Sequence, residues 1–196
     1  MKFQKAKIAV LIVYCFFLLT LSLNYLSGNT TVFADSKDKQ VKEIADYQKW
    51  TKVNAAPQLM PSSVAALCVP SIPKPSSEKT TNPHRDKYFT VYVNDVGRKA
   101  MLTRRNPKFP EGSVIVKEKL SDLKSTTPEL LTVMIKRQKG FDSANGDWEY
   151  LVTDESGVKT EARGSLQNCQ ACHSANEKSD YIFRTYLSDA IKQKLR

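Results

Sequence analysis

The sequence predicts an α+β protein, mainly β, with an antiparallel sheet of about five strands and flanking helices. Three observations lead to this fold class. Five segments between residues 88 and 164 are rich in aromatic and β-branched side chains. Most of them are joined by short turns, which favours antiparallel neighbours. The helical patterns collect outside these segments, and 196 residues suffice for one domain with a sizeable core.

Side chains alternate between the two faces in each predicted strand. In the second strand, Ile115, Lys117 and Lys119 share one face, and Val116 lies on the other. The predicted strands are Tyr88–Asn94, Ser113–Leu120, Leu131–Lys139, Asp147–Asp154 and Val158–Gly164.

Two helices are predicted near the first strand. Residues 35–54 are charged but carry a single apolar stripe at helical spacing. The stripe consists of Val41, Ile44, Ala45 and Trp50. A brief helix is predicted over Asp95–Leu102, with Asn94 or Asp95 as its N-cap.

Residues 55–86 contain six prolines, a density that blocks long helices and central strands. Only Ser62–Cys68 suits a short helix, and the rest is expected to form an irregular arm. The chain therefore divides into residues 1–34, an N-terminal helix with a proline-rich arm over 35–87, and a sheet domain over 88–196.

Residues 1–34 resemble an export signal. Three lysines are followed by the apolar run of residues 8–23, and Ala34 supplies a small residue for cleavage. The run is short for a membrane span, although an uncleaved N-terminal anchor is the alternative. Either reading places the bulk of the chain in an exported compartment, such as the periplasm.

The formal net charge is +10, and removal of the three signal lysines leaves 27 basic and 20 acidic residues. These charges are mixed along the chain, without a dense Lys/Arg run interleaved with aromatics. The pattern argues against nucleic-acid binding. It is compatible with anionic lipid or an acidic redox partner.

The motif NCQACH, residues 168–173, contains two cysteines two residues apart and a histidine directly after the second. C-x-x-C-H is the pattern of c-type haem attachment, in which the thiols of Cys169 and Cys172 bond to haem and His173 ligates the iron. Haem of this kind is attached after export, which agrees with the N-terminal signal. A CxxC redox pair is disfavoured because an antiparallel pattern, not a βαβ unit, precedes the motif.

A structural zinc site would need four ligands, and the only other exported cysteine and histidine are Cys68 and His84. Cys68 is instead predicted to be a buried small hydrophobe, with an intermolecular disulfide as the alternative. The fourth cysteine, Cys15, lies in the signal. His84 is expected to be a surface or hinge residue, with the sixth iron position as the alternative.

The motif lies late in the chain. Only 23 residues follow His173 and none is methionine; the methionines are Met1, Met60, Met101 and Met134. Met134 lies in a predicted strand, where a core position is expected. We therefore predict a five-coordinate haem with one open face, which suits small-molecule binding or redox catalysis.

Four stretches resemble the cytochrome P-460 family, which includes the cytochromes c-prime-beta. They are PHRDKYFTVYVND, FPEGSVIVKEKL, LTVMIKRQKGFD with NGDWEYLV, and CQACHSANEKSDYIF. The resemblance covers about residues 88–183. Its most specific part is the C-x-x-C-H motif followed by the D-Y-x-F of residues 180–183.

The resemblance implies one covalent haem c on a β-sheet scaffold, often in a homodimer. The P-460 enzymes oxidise hydroxylamine, in part by way of nitric oxide, and carry an additional link from a lysine to the haem. The c-prime-beta proteins lack this link and bind nitric oxide or carbon monoxide in an apolar distal pocket. Cys169, Cys172 and His173 match the family motif directly.

Other site residues follow less directly from the resemblance. Lys117 is the first candidate for the lysine link and Lys119 the second, with a solvated strand edge as the alternative for both. Gly164 aligns near the distal pocket, where glycine supplies no group for proton transfer; Glu161 and Arg163 lie nearby. Pocket walls or ordinary core aromatics are expected at Phe89, Tyr92 and Phe183.

The sequence thus predicts an exported haem-dependent oxidoreductase that acts on hydroxylamine or nitric oxide. Its electrons would pass to an external acceptor such as a c-type cytochrome. The alternatives are a non-enzymatic binder of nitric oxide or carbon monoxide, and an electron-transfer cytochrome.

Overall fold

A computed structural model describes residues 40–61 and 86–195. Within these ranges the chain forms one antiparallel sheet of seven strands, in the order β1-β3-β4-β5-β6-β7, with β2 also paired to β3. The strands are β1 Thr51–Lys52, β2 Gln58–Leu59, β3 Tyr88–Val93, β4 Val114–Leu120, β5 Leu130–Lys136, β6 Trp148–Thr153 and β7 Thr160–Gly164.

In the described part of the chain, three α-helices accompany the sheet. They are α1 Asp95–Thr103, α2 Gln167–His173 and α3 Asp189–Leu195. Short 3₁₀-helices cover Lys42–Ile44, Tyr47–Lys49, Ser143–Asn145 and Ser174–Ser179. Among the described helices, none is long and apolar enough to cross a membrane.

The predicted α+β class and the antiparallel sheet are confirmed, but the number of strands is larger than five. The five predicted strands correspond to β3–β7, and Leu131–Lys139 proves too long because β5 ends at Lys136. The two missed strands, β1 and β2, have two residues each and both pair with β3. Two residues are too few to show a recognisable alternation in the sequence. These strands are defined by their pairing with β3.

Helix α1 follows its prediction closely. Its N-cap is Asn94, whose side-chain Oδ1 accepts a hydrogen bond from the amide of Gly97 at 3.1 Å. The same oxygen accepts from the amide of Val114 at 3.0 Å, which ties the start of the helix to β4. An N-cap of this kind stabilises a helix by about 1 kcal/mol.

The single helix predicted over residues 35–54 is wrong for the part that is described. Residues 40–54 contain two 3₁₀-helices separated by Asp46, which has a left-handed φ of 58°. The segment is instead attached to the sheet: Ile44 and Tyr47 are buried against it, and the amide of Val41 donates to the carbonyl of Gly157 at 2.8 Å. Tertiary burial of individual side chains has overridden the helical spacing.

The sheet has two different faces. On one face a closed core includes Ile44, Tyr47, Val116, Leu131 and Leu151, each at most 1% exposed. We call it the filled face. The other face packs against α1, α2, α3 and the segment after α2, and it encloses a cavity of about 300 Å³. We call it the cavity face.

Several predictions lie outside the described residues. They are the signal or anchor of residues 1–34, the short helix Ser62–Cys68, the environment of Cys68 and the role of His84.

Candidate functional site

The NCQACH motif lies on helix α2, next to the cavity. Cys169 and Cys172 both line the cavity and neither is in a disulfide; Cys172 is buried and Cys169 is partly buried. Because they are three residues apart on a helix, their side chains lie on the same side of it. His173, the last residue of α2, lines the same cavity.

The position of α2 depends on a carboxylate in the loop between β5 and β6, residues 137–147. Asp142 accepts hydrogen bonds from Gln170 Nε2 at 2.6 Å and from Ser165 Oγ at 2.9 Å. Hydrogen bonds from Asn145, Ser165 and Gln170 hold the pKa of Asp142 below its ordinary value. Gln170 lies between the two cysteines, so this loop fixes the attachment motif itself.

The imidazole of His173 has a defined orientation. Its Nδ1 lies 2.7 Å from the carbonyl oxygen of Tyr181 and donates to it, which leaves the lone pair of Nε2 for another partner. The rings of Tyr150 and Phe183 meet it edge-on, with centroids 5.5 Å and 5.0 Å away.

The surroundings keep this imidazole neutral. Desolvation by burial lowers the pKa of His173 to about 4, and the positive charge of Lys117 acts in the same direction. The hydrogen bond to Tyr181 opposes both effects. A neutral imidazole with a free Nε2 is the form that ligates a metal ion.

The cavity is mostly apolar, and among the described residues no carboxylate lines it. Its polar groups include Lys117, Lys119, Thr132 and the hydroxyl of Tyr150. This hydroxyl is buried and has no hydrogen-bond partner in the described part of the chain. Burial raises the pKa of Tyr150, so the phenol stays protonated and can donate. A buried donor of this kind costs free energy unless a bound group satisfies it.

The two candidate lysines both lie on the cavity face, as the alternation predicts. Lys117 is paired with Val91 and Thr132 in the sheet, and its Nζ lies 5.7 Å from the centre of the Phe89 ring. Lys119 is almost buried and its Nζ lies 3.5 Å from a carboxylate oxygen of Glu129. Of the two, Lys117 is the one whose positive charge lowers the pKa of His173.

The three aromatic residues considered as pocket walls separate into two groups. Phe89 and Phe183 line the cavity. Tyr92 does not: it lies on the filled face, where its ring meets that of Tyr47 edge-on at 5.3 Å. For Tyr92 the core alternative therefore holds and the pocket wall does not, because Tyr92 is an odd number of residues from Phe89 in the same strand and the faces alternate.

The residues near the end of β7 do not line the cavity. Gly164 is paired with Tyr150 and has a φ of +121°, a conformation that suits glycine. The carboxylate of Glu161 pairs with exposed Lys159 at 2.7 Å. Arg163 donates to Glu149 at 2.9 Å and to Glu43 at 2.6 Å. Neither supplies an acid or base to the cavity.

The described methionines lie in two different environments, the core and the cavity wall. Met101 is fully buried in the core, whereas Met60 and Met134 line the cavity. The sequence pattern missed the contribution of Met60, because it lies in a proline-rich segment without periodicity. It also missed Tyr150, although the alternation of β6 would have placed the side chain of this residue on the other face of the sheet from those of Leu151 and Glu149.

These observations fit a haem c. Two cysteine thiols and a neutral imidazole with an available Nε2 line one cavity. That cavity is mostly apolar and contains a phenol that has no hydrogen-bond partner among the described residues. No group of three Cys, His, Asp or Glu side chains is placed to hold a metal ion in the described part of the chain. Two of the residues considered as zinc ligands, Cys68 and His84, lie outside that part.

Fold and site together define a class: a protein with an antiparallel sheet that carries a C-x-x-C-H haem-attachment helix on one face. The family model for Cytochrome P460 matches residues 44–184, and the chain belongs to this family. The family is one of haem c cytochromes, which are generally exported. A search of curated proteins found no significant match.

Proposed function

We propose that this protein is an exported cytochrome P-460-type oxidoreductase that oxidises hydroxylamine, nitric oxide or both. The observation that carries the proposal is the composition of the cavity. It has one imidazole beside two thiols, and a mostly apolar remainder that leaves room for a small substrate. Bound haem would supply a redox-active iron for the substrate nitrogen. Electrons would leave singly to an external acceptor such as a c-type cytochrome, and protons would pass to solvent.

The chain's own residues have separate roles in this proposal. Cys169 and Cys172 would bond to the haem, and His173 Nε2 would bind its iron. The rings of Phe89 and Phe183 exclude water from the cavity. The hydroxyl of Tyr150 donates to a polar group that enters. Periplasmic location and a homodimer belong to the same proposal, as does the absence of a nucleic-acid partner.

Lys117 is the preferred residue for the additional haem link. It lies on the cavity face at the middle of β4, and its positive charge lowers the pKa of His173. Lys119 is less suited because its ammonium group pairs with Glu129. The matched variants Lys117→Met and Lys119→Met separate the two. Mass analysis of haem peptides should show a lysine link that disappears only in the first variant.

A second candidate function, binding of nitric oxide or carbon monoxide, is favoured by one observation. The described residues place no carboxylate at the cavity, and so offer no acidic side chain there to accept protons during oxidation. A third, electron transfer, would need a second iron ligand, and Met60 and Met134 are the thioethers that line the cavity.

An optical spectrum of the purified ferrous protein tests these functions. A Soret band shifted strongly to the red, lost in Lys117→Met, supports the oxidoreductase. An ordinary five-coordinate high-spin spectrum supports gas binding, and a low-spin six-coordinate spectrum supports electron transfer. Cys172→Ser should weaken or abolish stable haem attachment, and normal retention in this variant would contradict the proposal for the site.

A further inference from the structure

The carbonyl group that orients His173 belongs to an unusual piece of backbone. Asp180 and Tyr181 have φ angles of 55° and 67°, so two consecutive non-glycine residues are left-handed. A conformation of this kind is disfavoured for residues other than glycine, and it persists only where surrounding contacts fix it. The carbonyl oxygen of Tyr181, which accepts from His173 Nδ1 at 2.7 Å, depends on this backbone.

We propose that the buried Asp180–Lys136 ion pair is the positioning device for the proximal histidine. The Lys136 ammonium lies 2.8 Å from Asp180 Oδ2, and the two side chains are 13% and 3% exposed. The same oxygen accepts from the amide of Phe109 at 2.8 Å. The ammonium of exposed Lys108 lies 3.9 Å from the other carboxylate oxygen. This inference rests on iron ligation by His173, which is part of the proposed function.

The main chain around the pair is fixed as well. The carbonyl oxygen of Asp180 accepts from Trp148 Nε1 at 2.8 Å, and Trp148 is fully buried. The ammonium of Lys136 lies 4.9 Å from the centre of the same indole and also donates to the carbonyl of Gly146 at 2.7 Å. Lys136 therefore joins Asp180 to the β5–β6 loop.

Tyr181 is held by the same loop. Its hydroxyl donates to the carbonyl of Ala144 at 2.9 Å. Its ring covers Gly146 so closely that a Cβ atom there would lie 2.6 Å from two ring carbons. The loop thus contacts both left-handed residues, Asp180 through Lys136 and Tyr181 directly, and leaves the Tyr181 carbonyl little freedom.

This arrangement has a chemical consequence for the imidazole. A well-placed acceptor at Nδ1 fixes the ring and raises the basicity of Nε2, and loss of such a partner commonly weakens a metal site about 10-fold or more. If the carbonyl of Tyr181 tilts, His173 becomes a weaker donor to ferric iron. The ion pair would thereby affect the strength of the iron–histidine bond and the reduction potential of the iron without contacting the iron.

The test compares Asp180→Asn with a matched control, Glu149→Gln, in haem-loaded protein. Asparagine keeps the shape of the side chain and tolerates a positive φ, but it leaves Lys136 without its anion. Glu149 also accepts from two cationic side chains, yet its contacts are with Arg137 and Arg163 on the filled face. The readouts are the iron–histidine stretching band in resonance Raman spectra and the midpoint reduction potential.

We expect Asp180→Asn to move the stretching band to lower wavenumber and the potential upward, while Glu149→Gln changes neither. Lys136→Arg keeps the cation and should behave as the unaltered protein does. If Asp180→Asn does not fold, Lys136→Gln takes its place with the same expected shift. Equal values in the control and in whichever of these two variants folds would overturn the inference. Failure of the unaltered protein to hold haem through His173 would instead overturn the proposed function.

Discussion

Lys136 is the last residue of β5 and Arg137 is the first residue of the loop that follows, and they serve opposite faces of the sheet. Lys136 turns to the cavity face and pairs with Asp180. Arg137 turns to the filled face, where it donates to Glu149 at 2.7 Å and to Glu43 at 3.1 Å. Both clusters contain a buried carboxylate. The two clusters differ in the part of the protein that they hold in place.

The cluster on the filled face connects the N-terminal segment to strands that already pack in a closed core. The cluster on the cavity face holds two left-handed residues whose carbonyl directs an imidazole. Buried ion pairs contribute little net stability over apolar replacements. The comparison therefore suggests that similar chemistry fastens a segment on one face and sets the geometry of a site on the other.

The largest expected difference between the two faces is in the free energy of unfolding that is lost when a packed side chain is truncated. Leu131→Ala on the filled face should cost about 2–5 kcal/mol of the free energy of unfolding, because a fully buried leucine is removed from a closed core. Met134→Ala, three residues away, should cost less in haem-free protein, since Met134 already borders the cavity. Urea unfolding of both variants measures the difference. Equal losses would show that the two faces are packed alike.

A smaller effect follows when haem is attached. Haem would bring new contacts to Met134 but none to Leu131, so the cost of Met134→Ala should rise and the difference between the variants should shrink. The measurement compares each variant produced with and without the haem-attachment machinery. A cost for Met134→Ala that stays unchanged on attachment would contradict placement of the haem in this cavity.

Much of the sheet could be predicted because alternation and turn residues are local signals. The face shared by Lys117 and Lys119 followed from the period of two, and the N-cap at Asn94 followed from residue chemistry. The helix predicted over residues 35–54 was wrong because burial of Ile44 and Tyr47 on the sheet outweighs helical spacing. No local signal marks such a tertiary preference.

The candidate site was only partly open to prediction. The spacing of the C-x-x-C-H motif indicates haem attachment by itself. Cys169, Cys172 and His173 could therefore be proposed as site residues without knowledge of the fold. The Asp180–Lys136 pair spans 44 residues of sequence, and neither residue has a local pattern that reveals the other. Contacts over such separations are set by topology.

The smallest expected effect concerns acid stability on the filled face. Burial raises the pKa of Glu43, but hydrogen bonds from Arg163, its own backbone amide and Arg137 prevail and bring it from 4.5 to about 2. The folded carboxyl thus resists protonation between these values, while the unfolded one takes up a proton. The stability that Glu43 supplies is present above about pH 4.5 and is lost as the pH falls toward 2.

Glu43→Gln should therefore lower stability at neutral pH by about 1 kcal/mol, in keeping with its partial exposure, and flatten the acid dependence. Urea unfolding from pH 6 down to about pH 2.5 measures both, with Glu161→Gln as the control because this carboxylate pairs only with exposed Lys159 on the surface. The haem spectrum should not change in either variant, since Glu43 belongs to the filled face. A spectral change in Glu43→Gln would mean that the two ion-pair clusters communicate through β5, and the separation of roles between Lys136 and Arg137 would then fail.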